Sequence, residues 1–504
     1  MIGIVLANVA EVPRGVTLLF AIVLVGLVSC LAFEEKLHAK KSVIAGTFAI
    51  ISLLLGSVFG ILPFQEVVVG SHLVDSELID VHDQHGETDA SAHDTHDEGE
   101  NGAGAHKEEL HAGGHSIKMP VYIPAIDWGV IAIILGSSLF VDVTSKSGLF
   151  TWIAIKVTKA SAGDPWMLLA AYGIMTVVFS AVLNNVTAMI IVGSLTAVSL
   201  DRLNRSNLLL GFLLVEGLLT NIGGLLTLIS SVPNIIVGTE ANISFGRFFV
   251  VAAPYVVVAT IATIFYGAKV FGIKRLASDE ERSEAAELVS GFDENDGIES
   301  ASFFWFGAVM LGLFIATIAT TSVLPYISDL GMGFVAMAFA GIMLLRFKAS
   351  ADQLYKALDW DLLGFFMALF VVINVMEHAA VLDTIGVGLA KVIALPGALG
   401  PGLILIASAV FSSVTDNIPL AAMLAKILGS LGTAPESPLW WSVIFGANLG
   451  GNITPIGSAS TLVAVTIIHR HKLPLSFAAF VKIAFPFAIM QLILAALYVL
   501  IFLR

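Results

Sequence analysis

Cysteine is nearly absent: Cys30 is the only one in 504 residues, which excludes an internal disulfide framework. Charge is scarce too. Asp, Glu, Lys and Arg make up 13% of the chain against 57% hydrophobic residues, and the mean hydropathy is +0.92. A soluble protein of this length needs far more charge to cover its surface. No motif for nucleophilic or phosphate chemistry is present, so an enzyme is not expected, nor a cofactor. The net charge of −14 is concentrated in two loops. Residues 71–118 hold twelve acids and two lysines, and residues 278–300 hold nine acids and one arginine. The remainder is slightly basic, so the acidity says little about what the protein binds, and no nucleic-acid partner is expected.

What the chain has in quantity is apolar length. Apolar segments fall at about 15–33, 43–62, 127–143, 166–200, 207–238, 248–272, 302–324, 331–347, 359–376, 398–430, 437–468 and 479–503. Lipid is the natural solvent for such a chain. Leu27-Val28-Ser29-Cys30 resembles a lipoprotein cleavage site, but the positive region ahead of it is poor, and residues 15–33 read as a retained helix. Segments 166–200 and 398–430 are too long for one crossing and carry polar residues in the middle. Segments 207–238 and 437–468 are interrupted by Gly-Gly pairs.

The chain also repeats itself. Ile126-Asp127-Trp128 recurs as Leu358-Asp359-Trp360, 232 residues later. Phe179-Ser180-Ala181-Val182-Leu183-Asn184-Asn185 recurs at the same offset as Phe411-Ser412-Ser413-Val414-Thr415-Asp416-Asn417. Asn221-Ile222-Gly223-Gly224 recurs 227 residues on as Asn448-Leu449-Gly450-Gly451. If 166–200 and 398–430 do not change sides, each half makes five crossings and the second half is inverted. An external N-terminus then places eighteen of the 25 lysines and arginines inside, at 36–41, 146–159, 202–205, 269–282, 346–356 and 470–482. This count does not separate re-entrant hairpins from pairs of full crossings. Hairpins suit the tip better, because Leu183-Asn184-Asn185-Val186-Thr187 has none of the glycine, proline or charge of a surface turn.

The expected fold is therefore an all-α polytopic membrane protein, with about ten transmembrane helices and two re-entrant hairpins in two inverted repeats. The first repeat covers 1–272, with an outer His/Asp-rich loop at 63–122. An acidic cytoplasmic linker follows at 273–301, and the second repeat covers 302–504. Inverted repeats, broken helices and polar tips describe a secondary transporter with a central site. Gly223-Gly224 and Gly450-Gly451 would let the helices unwind, and freed backbone groups could coordinate an ion. Thr220, Asn221, Thr227, Ser230, Ser231 and Asn234 line the first broken helix. Asn448, Asn452, Thr454, Ser458, Ser460 and Thr461 line the second. A single such residue would more often be a packing Ser or Thr bonded to its own helix; clustering at repeated positions favours a site. Asp416 stands where the first half has Asn184, and an acid at membrane depth is a candidate for cation coordination or protonation. Glu216 is a second candidate proton carrier. Eight of the twelve histidines lie in the outer loop. The spacing of His82 with His85, and of His93 with His96, would suit weak Zn²⁺ or Cu²⁺ binding, although a solvated loop without an ordered ligand set is the simpler reading.

These motifs resemble the ion transporter superfamily, in the group that joins arsenite-efflux permeases, NhaD-type sodium/proton antiporters, the melanosomal P protein and citrate transporter-like domains. The resemblance spans about residues 120–504. It is carried by S-A-V-L-N-N-V-T at 180–187, T-N-I-G-G at 220–224, V-P-N-I-I-V-G at 232–238, T-D-N-I-P at 415–419 and G-A-N-L-G-G-N-I-T-P-I-G-S at 446–458. It implies ten spans with two hairpins, a homodimer and elevator-like alternating access. It places Na⁺ and substrate at Asn184, Asn185, Thr187, Asn221, Gly223, Thr227 and Asn234 in the first half. In the second half the positions are Asp416, Asn417, Asn448, Gly450, Thr454 and Ser458. Family members often carry Asp where this chain has Asn184, and G-D-P-P-N where it has Ser230-Ser231-Val232-Pro233-Asn234. The expected function is sodium/proton antiport, or efflux of an inorganic anion or oxyanion such as arsenite, coupled to Na⁺ or H⁺ in an inner membrane. Uptake of a di- or tricarboxylate is the alternative within the class. A channel, or a metal sensor using the outer loop, is the alternative outside it.

Overall fold

Several sequence repeats are helix caps. In the computed structural model Asp127 and Asp359 each precede a helix, accepting from the backbone N–H three residues on, at Val130 and Leu362 (3.0 and 2.9 Å). Ser244 and Ser476 do the same for Arg247 and Ala479 (3.3 and 3.2 Å), again 232 residues apart. The structure describes residues 12–62, 65–69, 72–74, 110–112, 115–347, 352, 355–356, 358–397, 399–415 and 417–503. Asp416, His82, His85, His93 and His96 lie outside these described residues.

Two units separate, residues 62–126 and the rest of the chain. In the smaller unit, β1 (Gln65–Val69) pairs antiparallel with β4 (His115–Met119), and β2 (His72–Val74) with β3 (Leu110–Ala112). The loop expected to lack order is therefore paired at its described ends, with Val67 opposite Ile117.

The larger unit is all helix. Its first half contains α1 (Arg14–Ala32), α2 (Lys41–Val58), α3 (Trp128–Ser145), α4 (Leu149–Ala160), α5 (Pro165–Val182), α6 (Asn185–Arg202), α7 (Leu209–Gly223), α8 (Val232–Glu240) and α9 (Phe245–Val270). Then α10 (Asp279–Ser290) leads to α11 (Ala301–Thr320), α12 (Ile327–Arg346), α13 (Trp360–His378), α14 (Val381–Ile393), α15 (Leu399–Val414), α16 (Asn417–Ser430), α17 (Pro438–Gly450), α18 (Ala459–Arg470) and α19 (Phe477–Phe502). The order from α1 to α9 is repeated from α11 to α19. Contacts between the halves are reciprocal: α2 packs on α13 and α12 on α3, while α8 packs on α16 and α18 on α6. Among the described residues ten helices are long and apolar enough to cross a membrane. The number agrees with expectation, but the membership differs by one. The hairpin arm α5 qualifies, whereas the expected span 437–468 is divided into α17 and α18, of 13 and 12 residues.

The acidic segment read as a simple linker is docked. Glu294 bonds Lys156 Nζ at 2.7 Å and also Lys159, both on α4. Arg202 stacks over Phe292, 4.4 Å from its ring centre. Two glycines bracket α4 and admit the linker backbone. A Cβ on Gly148 would lie 2.4 Å from Gly297 O, and one on Gly163 2.7 Å from Ala285 O. Gly148 is left-handed at φ +81°, and its counterpart Ala380 adopts the same region at φ 55°. Close approach therefore demands glycine at Gly148 more than the dihedral does. The two lysines hold the Glu294 carboxyl well below its ordinary 4.5, at about 2. A depressed value means the clasp is complete above the ordinary carboxylate range and is lost only as pH falls through about 2. Glu294→Gln, or about 1 M salt acting through the roughly 3 Å screening length, should loosen α10 at neutral pH. Faster amide exchange across 279–290 would show it; unchanged exchange would mean that burial of Phe292 alone holds the strap.

Candidate functional site

The two interrupted helices form the most enclosed part of the unit. Every residue of α7 except Leu210, and every residue of α17 except Pro438, is buried. The glycine pairs sit at their ends, but in a role other than the one expected. Gly224 and Gly451 have right-handed helical dihedrals (φ −59°, ψ −17° and φ −59°, ψ −15°), so the helix breaks beyond them and not through glycine's freedom. The first glycine of each pair permits backbone contact with the hairpin. A Cβ on Gly223 would be 2.6 Å from Val177 O, and one on Gly450 would be 2.3 Å from Ala409 O, 232 residues further on. Small residues are what allow helices in lipid to approach this closely. A Cβ on Gly224 would collide with the Asn185 amide, at 2.8 Å.

Each hairpin is stitched to its broken helix twice, in the same way in both halves. Ser180 Oγ lies 2.7 Å from Thr220 O, and Ser412 Oγ donates to Ala447 O at 2.6 Å. Thr227 Oγ1 donates to Ala181 O at 2.6 Å, and Thr454 Oγ1 to Ser413 O at 2.5 Å. The halves are then tied to one another by exchange. Asn221 Nδ2 donates to Ser458 Oγ at 2.9 Å, while Ser231 Oγ donates to Asn448 Oδ1 at 2.7 Å. Both partners shift by 227 residues, so the contact is repeated with the halves interchanged. A pseudo-twofold relation produces this pattern; simple translation of one half does not.

Around this frame the network is more polar on one side. Asn221 Nδ2 also donates to Asn452 Oδ1 at 2.8 Å, and Asn221 Oδ1 accepts from Ser460 and from Asn185 Nδ2, at 3.2 and 3.3 Å. Asn452 Nδ2 donates to Gln491 Oε1 at 2.7 Å, and Gln491 Nε2 donates to Thr263 Oγ1 at 3.1 Å. On the other side Asn448 Nδ2 donates to Asn234 Oδ1 at 2.9 Å. Asn234 Nδ2 in turn donates to two carbonyls freed by the helix break, Gly224 O (2.6 Å) and Thr227 O (3.0 Å). These side chains are all neutral, so they offer both lone pairs and N–H or O–H donors.

Of the expected site residues, Asn185, Asn221, Asn234, Asn448 and Ser458 join this network. Thr227 and Thr454 anchor the hairpins, and Gly223, Gly224, Gly450 and Gly451 make the close approaches. Four of the described residues stay apart from it, Thr187 among them, in the first turn of α6. Thr220 Oγ1 bonds its own helix at Gly217 O (2.6 Å), the packing role common for membrane threonines. Asn184 is exposed and caps α6, accepting from Thr187 N at 2.7 Å. Asn417 is half-buried at the start of α16. Gln491, Thr263, Ser180 and Ser412 were not expected at the site. Gln491 is the one amide in α19 and, with Lys482 and Tyr498, one of its few polar side chains, which is a readable signal. Among the described residues no group of three or more His, Cys, Asp or Glu gathers into a candidate metal site.

Residues 112–446 match the model of a family described as Citrate transporter, CitMHS, which covers well over half of the chain. An uncharacterized transporter of Mycobacterium tuberculosis is 30% identical over 379 residues, 74% of this chain and 86% of that protein. The mouse P protein is 26% identical over 454 residues, 75% of this chain but only 54% of its own length. The solved YdaH transporter of Alcanivorax borkumensis, reported to have an unusual topology, shares 13% identity with a TM-score of 0.55, over 92% of this chain and 98% of that one. At that identity the likeness speaks for the fold alone. With ten such apolar helices among its described residues, the chain is a multi-pass membrane transporter and belongs to the CitMHS, or citrate transporter, family.

Proposed function

We propose that this protein is a secondary active transporter of a small ion, and that cargo and coupling ion are handled where the hairpin tips meet the two broken helices. The observation that carries this is the exchanged Asn221–Ser458 and Ser231–Asn448 bonding, which puts the broken segments of both halves into two buried polar clusters, each shared between the halves. Irregular backbone with polar side chains inside a membrane unit is tolerated where it lines a site or packs on protein. Neutral amides and hydroxyls can replace the water shell of a cation or face an anion. By its place in the sequence Asp416 is the candidate for a fixed charge that couples Na⁺ or H⁺. Alternating access follows from opposed repeats moving about this centre, in an inner membrane with the N-terminus and residues 63–122 outside, in a homodimer. The family description favours a second reading, in which the cargo is a di- or tricarboxylate and helix N-termini meet its charges.

The test is purified protein in liposomes, under imposed Na⁺ or H⁺ gradients, offered Na⁺, arsenite, phosphate-like anions, citrate and succinate in turn. Gradient-driven, saturable flux of one of them is the expected result. Gradient-independent, non-saturating flux would indicate a channel, and no flux from any member would remove the ion-transporter reading. In Asn185→Ala the flux should fall roughly tenfold to a hundredfold, since losing one buried partner costs about 1–3 kcal/mol and each 1.4 kcal/mol is about tenfold.

A further inference from the structure

Among the described residues Glu216 is the only charged-type side chain that is fully buried. It lies on α7, five residues before Asn221, so about 7.5 Å along the helix from the amide network. Thr196 Oγ1 on α6 donates to Glu216 Oε1 at 2.7 Å. Glu216 Oε2 is buried and has no hydrogen-bond partner. An ionised carboxylate seeks several donors, and a buried oxygen with none suits a carboxyl that carries its own proton there.

A line of hydroxyls leads away from it. Ser199 follows Thr196 by one turn on the same face of α6. Ser199 Oγ is 2.7 Å from Tyr172 Oη, and Tyr172 Oη is 2.5 Å from Thr158 Oγ1 on α4. All four are fully buried, yet α4 also carries the exposed Lys156 and reaches the surface. A hydroxyl both donates and accepts, so each bonded pair can pass a proton on, while Ser199 and Thr196, one turn apart, are not bonded to each other in this structure.

The helices packed on α7 bring few other ionisable groups. From α5 comes Tyr172, which interacts electrostatically with Glu216. From α6 come Asp201 and Arg202, from α9 Lys269 and from α18 His469 and Arg470, all exposed at helix ends. Also on α9, Arg247 pairs with Glu436, Tyr255 bonds Gln491 O and Tyr266 is half-buried; α17 brings none. No cation is paired with Glu216 in any ion pair of the described residues.

We propose that Glu216 is a proton-binding site, loaded from the α4 side through Thr158, Tyr172, Ser199 and Thr196. This rests on the transporter reading and assigns its coupling to H⁺. In the loading step one proton enters from water beyond α4, each hydroxyl gives up one O–H proton as it receives another, Thr196 Oγ1 delivers the last to Glu216 Oε1, and the carboxylate becomes a neutral carboxylic acid. Unloading leaves a bare charge within two helical turns of Asn221, so occupancy by the proton and the arrangement of the amide network depend on one another.

The test is infrared difference spectroscopy of the purified full chain in lipid, stepped between acidic and alkaline buffer. A protonated-carboxyl band that comes and goes with pH should vanish in Glu216→Gln. Tyr172→Phe should keep the band but slow its appearance at least several-fold. Thr196→Val, which retains the carboxyl, should shift the band to higher frequency, and it serves if Glu216→Gln does not fold. A wild-type spectrum in Glu216→Gln, or an unshifted band in Thr196→Val, overturns the site; an unchanged rate in Tyr172→Phe overturns the route. The readout needs no cargo, so a failed band removes Glu216 alone, whereas a normal band without flux in liposomes removes the transport reading alone.

Discussion

Asn221→Leu should abolish transport while leaving the protein inserted in the membrane. The amide of Asn221 meets four side chains: Asn452, Ser458, Ser460 and Asn185. Interhelical hydrogen bonds in membranes contribute on average about 0.6 kcal/mol each, so the loss in stability is about 2–3 kcal/mol, survivable for a protein of this size. The partners left behind fare worse, since each unsatisfied buried polar group costs about 1–3 kcal/mol. They will re-pair or admit water, which deforms the site itself. Flux in liposomes, measured beside a size-exclusion profile, checks both halves of the statement. A well-behaved Asn221→Leu protein that retains more than a tenth of normal flux would place the transport site elsewhere. Asn448→Leu should fail in the same way, because it stands in the exchanged position with Ser231 and Asn234.

Gly450→Val should prevent folding altogether. Its first added carbon would lie 2.3 Å from Ala409 O and 2.7 Å from Ala409 Cα, against backbone that cannot swing aside. Overpacking a well-packed interior typically costs about 1–3 kcal/mol, and here two further methyls follow on a β-branched side chain. Gly223→Val faces Val177 in the same way and should share the outcome. Loss of monodisperse protein after detergent extraction is the expected observation. Gly312→Val is the control, since a Cβ there meets nothing within 4 Å. If Gly450→Val purifies as well as Gly312→Val, the hairpin does not lie against α17 as described.

Much of this was legible because polar residues in an apolar chain are conspicuous. Asp127 with Asp359 announced a duplication, and Asn221, Asn448 and Ser458 announced a polar site at the broken helices. Other features were hidden for physical reasons. A Gly-Gly pair reads identically whether it frees the backbone or lets another backbone come near, so the contacts of Gly223 and Gly450 with the hairpins were not legible. Gln491 escaped because the repeat has Ala259 at the corresponding place, and symmetry was the guide. The linker looked like a solvated spacer because acids dominate it; its docking depends on Phe292 and on glycines more than a hundred residues earlier. Thr220 matched the pattern of a ligand but is satisfied within its own helix.

The reciprocal packing of the halves also bears on how the chain is made. Helix α2 packs on α13, where Asp361 accepts from the Ser42 backbone N–H at 3.2 Å and bonds its hydroxyl as well, across 319 residues of sequence. At about 5–20 residues per second, α2 sits in the bilayer for roughly 15–65 s before its partner is synthesised. During that interval Ser42 is without Asp361, and the face of α2 that will meet α13 has only lipid or a chaperoning protein for company. The first half is thus an obligate waiting intermediate, and slowing elongation between α9 and α13 should lower the yield of folded protein even though no residue of the finished molecule has changed.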